Sequence, residues 1–183
     1  MGFTSTREFT YQREISAPHE SVLAILQDPY RLCSHSPHFA GMVPDDVSPC
    51  VADTQPPSDS PVEENGRPVP CPPSKEGRLS TNQWYKIYDR IPVLGPLKTT
   101  ITIRAKIVPV EGGVETEVEA GFGTRVKTKY TVEGGAGENT GCVLKETTVL
   151  EALSIMMPYV WKTMENGHLH SFDGIRKEVE VSS

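Results

Sequence analysis

From Thr81 to Ala152 the chain alternates apolar and polar residues again and again, and glycine-rich breaks interrupt the alternation. In Thr99–Val108, Ile101, Ile103, Ala105 and Ile107 share one face, while Thr100, Thr102, Arg104 and Lys106 share the other. After Glu111-Gly112-Gly113, Val114, Thr116, Val118 and Ala120 oppose Glu115, Glu117 and Glu119. Past Gly121-Phe122-Gly123, Val126, Thr128, Tyr130 and Val132 alternate with Arg125, Lys127 and Lys129. A period of two sends successive side chains to opposite faces of a strand, so each segment reads as a strand with one buried face. Short strands joined by glycine turns make a sequential antiparallel sheet. The glutamates and the basic residues on adjacent outer faces pair across strands and set the register. Trp84–Asp89 reads as a strand before this run, and Cys142–Ala152 as the last strand.

The flanks are of another kind. Thr6–Ile15 alternates with Phe9, Tyr11 and Ile15 on one face, and Ser16-Ala17-Pro18 then opens a helix. Ser16 or Ala17 is expected at its cap and Pro18 in its first turn. Asp28-Pro29 stops that helix, and Tyr30–His35 predicts a second short one. The chain closes with a long helix, from about Ser154 or Pro158 to Val179. Projected at 3.6 residues per turn, Met157, Val160, Trp161, Met164, Gly167, His168, Ser171 and Ile175 fall on one side. Gly167 costs about 1 kcal/mol relative to Ala in a helix interior, so it needs a spatial reason. Gly167 and Ser171 cannot fill the volume between a helix and a curved sheet, and a cavity is expected there.

Between Asp45 and Ser80 stand eight of the chain's 16 prolines and almost no large apolar side chain. Such a stretch cannot bury enough surface to offset its ordering entropy, so 45–80 is expected to be a long loop within one domain spanning 1–183. A loop of this length in a compact domain is a lid, a binding loop or a disordered insertion. A net charge of -6 disfavours nucleic acid, whose binding depends on Lys and Arg displacing counterions. No apolar run reaches the length of a bilayer span, and no secretory signal is evident, so a cytoplasmic protein, monomer or homodimer, is expected. Cys33, Cys50, Cys71 and Cys142 are too scattered for a disulfide scaffold. Cys33, His35 and His38 lack finger spacing, and His168 and His170 diverge on a helix, so no metal is expected. There is no nucleotide or hydrolase motif, and no cofactor is expected.

The order of elements (strand, helix pair, antiparallel strands, long final helix) resembles the START/Bet v1-like, or SRPBCC, helix-grip superfamily over all of the chain except 45–80. The residues that carry the resemblance are Phe9–Ile15 with Ala17-Pro18, the run Trp84-Tyr85-Lys86-Ile87-Tyr88-Asp89-Arg90-Ile91-Pro92, and Met157-Pro158-Tyr159-Val160. More closely the chain resembles a fungal branch associated with secondary metabolism. The resemblance implies an α+β helix-grip fold, with a curved antiparallel sheet of about seven strands wrapped around the last helix and an apolar pocket between them. The superfamily includes lipid carriers, hormone receptors, polyketide cyclases and a Pictet–Spengler synthase, so fold alone does not choose the chemistry.

His168 is the candidate proton carrier on the inward stripe, against the alternative of a core histidine bonded to a backbone carbonyl. Tyr88 and Tyr130 are the candidate hydrogen-bond donors to a substrate carbonyl. Tyr11, Trp84, Trp161 and Met164 are expected to line the pocket as aromatic and thioether surface. Ile101, Ile103, Val118, Phe122 and Met157 are expected to complete it, with Gly167 and Ser171 leaving the space. Such a pocket suits a small hydrophobic molecule. It can catalyse by holding a flexible substrate in a reactive shape. The expected function is a cofactor-independent cyclase or isomerase of a terpenoid or polyketide intermediate, an intramolecular Diels–Alder-type closure being one form. The alternatives are a non-catalytic carrier or sensor of a sterol-like lipid, and an interaction module that uses 45–80.

Overall fold

The computed structural model describes residues 3–45, 83–94, 97–134 and 141–182, and it says nothing of the side chains of 92–98 and Ser182. Except for Asp45, the proline-rich segment 45–80 lies outside the described residues, as do Cys50 and Cys71. In chain order the elements are β1 (Thr4–Ile15), α1 (His19–Leu26), α2 (Pro29–Ser34), β2 (Phe39–Pro44), β3 (Gln83–Leu94) and β4 (Leu97–Val110). They continue with β5 (Gly113–Glu119), β6 (Arg125–Glu133), β7 (Cys142–Leu153) and α3 (Met157–Ser182). The sheet has seven strands in the order β1-β7-β6-β5-β4-β3-β2, and every pairing is antiparallel. This is the helix-grip arrangement, a sheet with a long carboxy-terminal helix and two short helices after the first strand.

Local chemistry sets the boundaries. Pro18, in extended conformation, is the residue before α1, so the helix begins one or two positions later than expected, and no side chain caps it. Asp28 caps α2 by accepting from the backbone N–H groups of Tyr30 (3.0 Å) and Arg31 (3.1 Å), with Pro29 at the first position. The β4–β5 turn has Gly112 at φ +67°, and a Cβ on the next residue, Gly113, would lie 1.9 Å from the Tyr130 carbonyl oxygen. Glu115 pairs with Lys129 (3.0 Å) and Glu117 with Lys127 (3.6 Å) across β5 and β6, the charge pattern read from the sequence.

The packed core sits at one end of the sheet. There Ile15, Val22, Ile25, Leu26, Val114 and Leu144 meet Phe172, Ile175 and Val179 of α3. Full burial of each such side chain contributes roughly 1.5–3 kcal/mol. A smaller cluster of Leu150, Ala152 and Met157 holds the first turn of α3 against the other end of β7. The middle of α3 bridges these two anchorages. Among the described residues, no helix is long and apolar enough to cross a membrane.

Candidate functional site

Between the two packed ends, α3 and the inner face of β3–β6 line a cavity of about 630 Å³. That is within the range of sites that hold small organic ligands. Ile101, Ile103 and Val118 form its sheet wall, and Met164, Gly167 and Ser171 belong to its helix wall. A Cβ on Gly167 would meet no atom within 4 Å, so the hollow extends to the helix backbone. Ser171 Oγ donates to the Gly167 carbonyl at 3.0 Å, which folds its hydroxyl back along the helix. Phe122 borders the cavity from the Gly121–Gly123 turn, with φ of 59° and 77% of its surface exposed. Left-handed backbone is strained for an aromatic residue, and here it holds a ring at the cavity's open edge.

Two polar groupings interrupt the apolar wall. In the first, His168 Nδ1 faces Glu146 Oε1, and Glu146 is completely buried on β7. The same carboxylate oxygen accepts from Thr148 Oγ1 at 2.6 Å, and Thr148 lies 2.9 Å from Thr128 Oγ1. Both His168 and Thr128 line the cavity, so a chain of polar groups leaves it at one point and returns at another. A carboxylate at Nδ1 favours a proton on that nitrogen and leaves Nε2 for a ligand. Glu146 Oε2 is buried with no hydrogen-bond partner among the described residues. Beside it, burial above all, then the Glu146 carboxylate, pushes the Tyr130 phenol well above its ordinary range, so Tyr130 stays protonated.

The second grouping lies where α2 leads into β2. Cys33, His38 and Asp89 all line the cavity. Burial pushes the Cys33 thiol up to about 12, and the neighbouring carboxylates of Asp89 and Asp28 add to the effect. Asp89 Oδ1 is buried with no hydrogen-bond partner among the described residues. Desolvation raises the Asp89 carboxyl above its ordinary value, and His38 partly offsets this. His35 faces away from this group, with Nε2 3.0 Å from Glu178 Oε2. Among the described residues, no three His, Cys, Asp or Glu side chains come together as a metal site.

Of the residues singled out in the sequence, Ile101, Ile103, Val118, Phe122, Tyr130, Met164, Gly167, His168 and Ser171 border the cavity. Tyr88 and Trp84 do not. Directly opposed residues on paired strands share a face, and Tyr85, Ile87 and Asp89 stand opposite Ala105, Ile103 and Ile101. Trp84 and Tyr88 therefore lie on the outer face, where Trp84 carries the Arg104 guanidinium 4.9 Å from its ring centre. Tyr11, Met157 and Trp161 also lie outside the lining. The cavity-facing arc of α3 runs through Tyr159, Val160, Thr163 and Gly167, which turns Met157 and Trp161 toward β1 and β7. Trp161 packs edge-on against Phe9 at 5.2 Å, and the Tyr11 hydroxyl donates to Glu165 Oε1 at 2.8 Å.

Sequence reasoning missed Glu146 and Asp89. The signal for Glu146 was available, because alternation from Cys142 through Leu144, Thr148 and Leu150 to Ala152 puts a carboxylate in the middle of a buried stripe.

The profile of a family described as Domain of unknown function (DUF7053) matches residues 14–181. No curated protein matches the chain by sequence. Solved structures do match by shape. A norcoclaurine synthase point mutant from Thalictrum flavum, in complex with a transition-state analogue, has a TM-score of 0.59 at 16% identity over 100% of both chains. A START superfamily protein from Mycobacterium smegmatis has a TM-score of 0.59 at 13% identity, covering 96% of this chain and 99% of its own. Ara h 8.0201 has a TM-score of 0.59 at 14% identity, covering 98% and 100%. At these identities the likeness is one of fold, and the fold is Bet v1-like.

Proposed function

The chain belongs to the DUF7053 family, and we propose that it is a cofactor-independent cyclase or isomerase of a hydrophobic metabolite, a terpenoid or polyketide intermediate. The observation that carries this reading is His168 on the wall of an apolar cavity, with its Nδ1 held by the fully buried Glu146. A cavity of this size folds a flexible substrate by excluding its extended conformers, and orientation of that kind contributes several kcal/mol to a ring closure. His168 Nε2 then takes a proton from the substrate or returns one, while Glu146 stabilises the imidazolium. The protonated Tyr130 phenol supplies a donor where negative charge develops on a carbonyl. A Diels–Alder-type closure needs only the orientation and the donor, whereas an aldol-type closure uses the histidine as well. One of the matching structures being a norcoclaurine synthase agrees with this reading without deciding it.

A second reading, a carrier or sensor of a lipid-like molecule, draws support from the lining, which is apolar over most of its extent. The two are separated by recovering the protein from its own host, releasing any bound compound, and incubating that compound with fresh protein. Cyclisation and isomerisation conserve mass, so the readout is chromatographic retention at constant mass. A new isomer formed by the wild type, and at least tenfold more slowly by His168→Gln, supports the enzyme. A compound that binds and returns unchanged supports the carrier.

A further inference from the structure

The cavity is electrically one-sided. No Lys or Arg stands among its described lining residues, and the one carboxylate on the wall is Asp89. Its Oδ1 is buried without a hydrogen-bond partner, which is costly in any folded protein, because a carboxylate oxygen removed from water forfeits its hydration. Asp89 is set there by the sheet. It stands opposite Ile101 on β4 and Phe39 on β2, and both neighbours line the same space. Its surroundings, Cys33, Leu32 and His38, include only one group able to carry positive charge. Desolvation accordingly holds the carboxyl above its ordinary value, against the pull of His38. Asp89 as a whole is only partly buried and borders the cavity, so a donor entering that volume meets its carboxyl group.

Taking the cavity as a ligand site, the reading proposed above, we infer that its ligand carries an N–H or O–H donor, an ammonium by preference, which seats on Asp89 at the α2–β2 end. The apolar body of the ligand then lies along Ile101, Ile103 and Val118 toward His168. The ligand is thereby oriented end to end, with its donor at one polar grouping and its reactive part at the other. Carboxylates and phosphates are disfavoured, because they meet Asp89 with like charge and find no Lys or Arg on the described wall, only the histidines His38 and His168. This separates the ligand from free fatty acids and phospholipids, and points to alkaloid-like amines or neutral polycyclic alcohols.

The test uses the full-length protein and a neutral fluorescent probe, N-phenylnaphthylamine, displaced by four compounds that share one naphthalene body. These are naphthylethylamine, naphthylethanol, ethylnaphthalene and naphthylacetate. The expected order of affinity is amine, alcohol, hydrocarbon, carboxylate, with the amine about tenfold or more tighter than the hydrocarbon, as for a charge-assisted hydrogen bond. In Asp89→Asn, of the same shape, the advantage of the amine shrinks toward that of the alcohol and the carboxylate gains. The wild-type order alone decides the matter should the variant not fold. Equal affinities across the series, or a carboxylate that binds best, overturn the inference and leave the cavity reading standing. Absence of saturable probe binding overturns both.

Discussion

Two glycines of α3 invite the same substitution and are expected to answer with opposite sign. At Gly167 an added methyl meets nothing within 4 Å, so Gly167→Ala recovers the helix propensity difference of about 1 kcal/mol without a clash. At Gly174 the same methyl would lie 2.7 Å from His35 Nδ1 and 3.3 Å from His35 Cβ. His35 cannot swing aside freely, since its ring is nearly buried, with Nε2 lying 3.0 Å from Glu178 Oε2. Overpacking of this kind costs about 1–3 kcal/mol, which cancels or exceeds the propensity gain. In a chain of this length 1 kcal/mol moves the melting temperature by about 2–4 °C. Thermal unfolding followed by circular dichroism is therefore expected to place Gly167→Ala about 2–4 °C above the wild type and Gly174→Ala level with it or below. If both variants shift in the same direction by the same amount, the contrast between a hollow and a packed stretch of α3 is refuted.

Further outcomes follow from the buried polar groups. His168→Leu strands the Glu146 carboxylate and is expected to lower unfolding free energy by about 3–5 kcal/mol, while a Glu146→Leu, His168→Leu double variant recovers much of the loss; urea denaturation of the cycle measures this. Asp89 has a folded-state carboxyl raised above its ordinary value near 3.8, so the unfolded state binds fewer protons in that window and stability falls as pH rises through it. Asp89→Asn is expected to remove that slope and to be the more stable protein at neutral pH without ligand, with the two converging in acid; urea midpoints measured across pH report it. Phe122→Gly relieves a left-handed backbone at the cavity edge, and is expected to preserve or raise the melting temperature while weakening probe binding severalfold by fluorescence titration.

The sheet was legible because its signal is redundant. In β4, β5 and β6 the apolar stripe, the glycine turns and the outer charges all specify one register, and Glu115–Lys129 and Glu117–Lys127 meet as the pattern requires. In β3 that redundancy fails. Trp84-Tyr85-Lys86-Ile87-Tyr88 has aromatic residues on both faces, and only the pairing with β4 decides which face turns inward. On α3 the hollow could be read from Gly167 and Ser171, but the first turns could not. Met157 and Trp161 are as apolar as any cavity residue, and they turn toward β7 and β1 because the helix is anchored there. Glu146 went unread for a different reason. A glutamate in a strand usually faces water, and although the alternation of β7 marks its position as buried, its partner His168 is 22 positions away in the chain.

The account stands on open space between α3 and the sheet, and one titration addresses it most directly. A neutral apolar dye is added to the wild type and to Gly167→Phe, whose ring would enter that space from the helix side. The account predicts one saturable site in the wild type, and at least tenfold weaker binding in a variant that is still folded. Equal binding by both proteins, or no saturable binding by either, contradicts it.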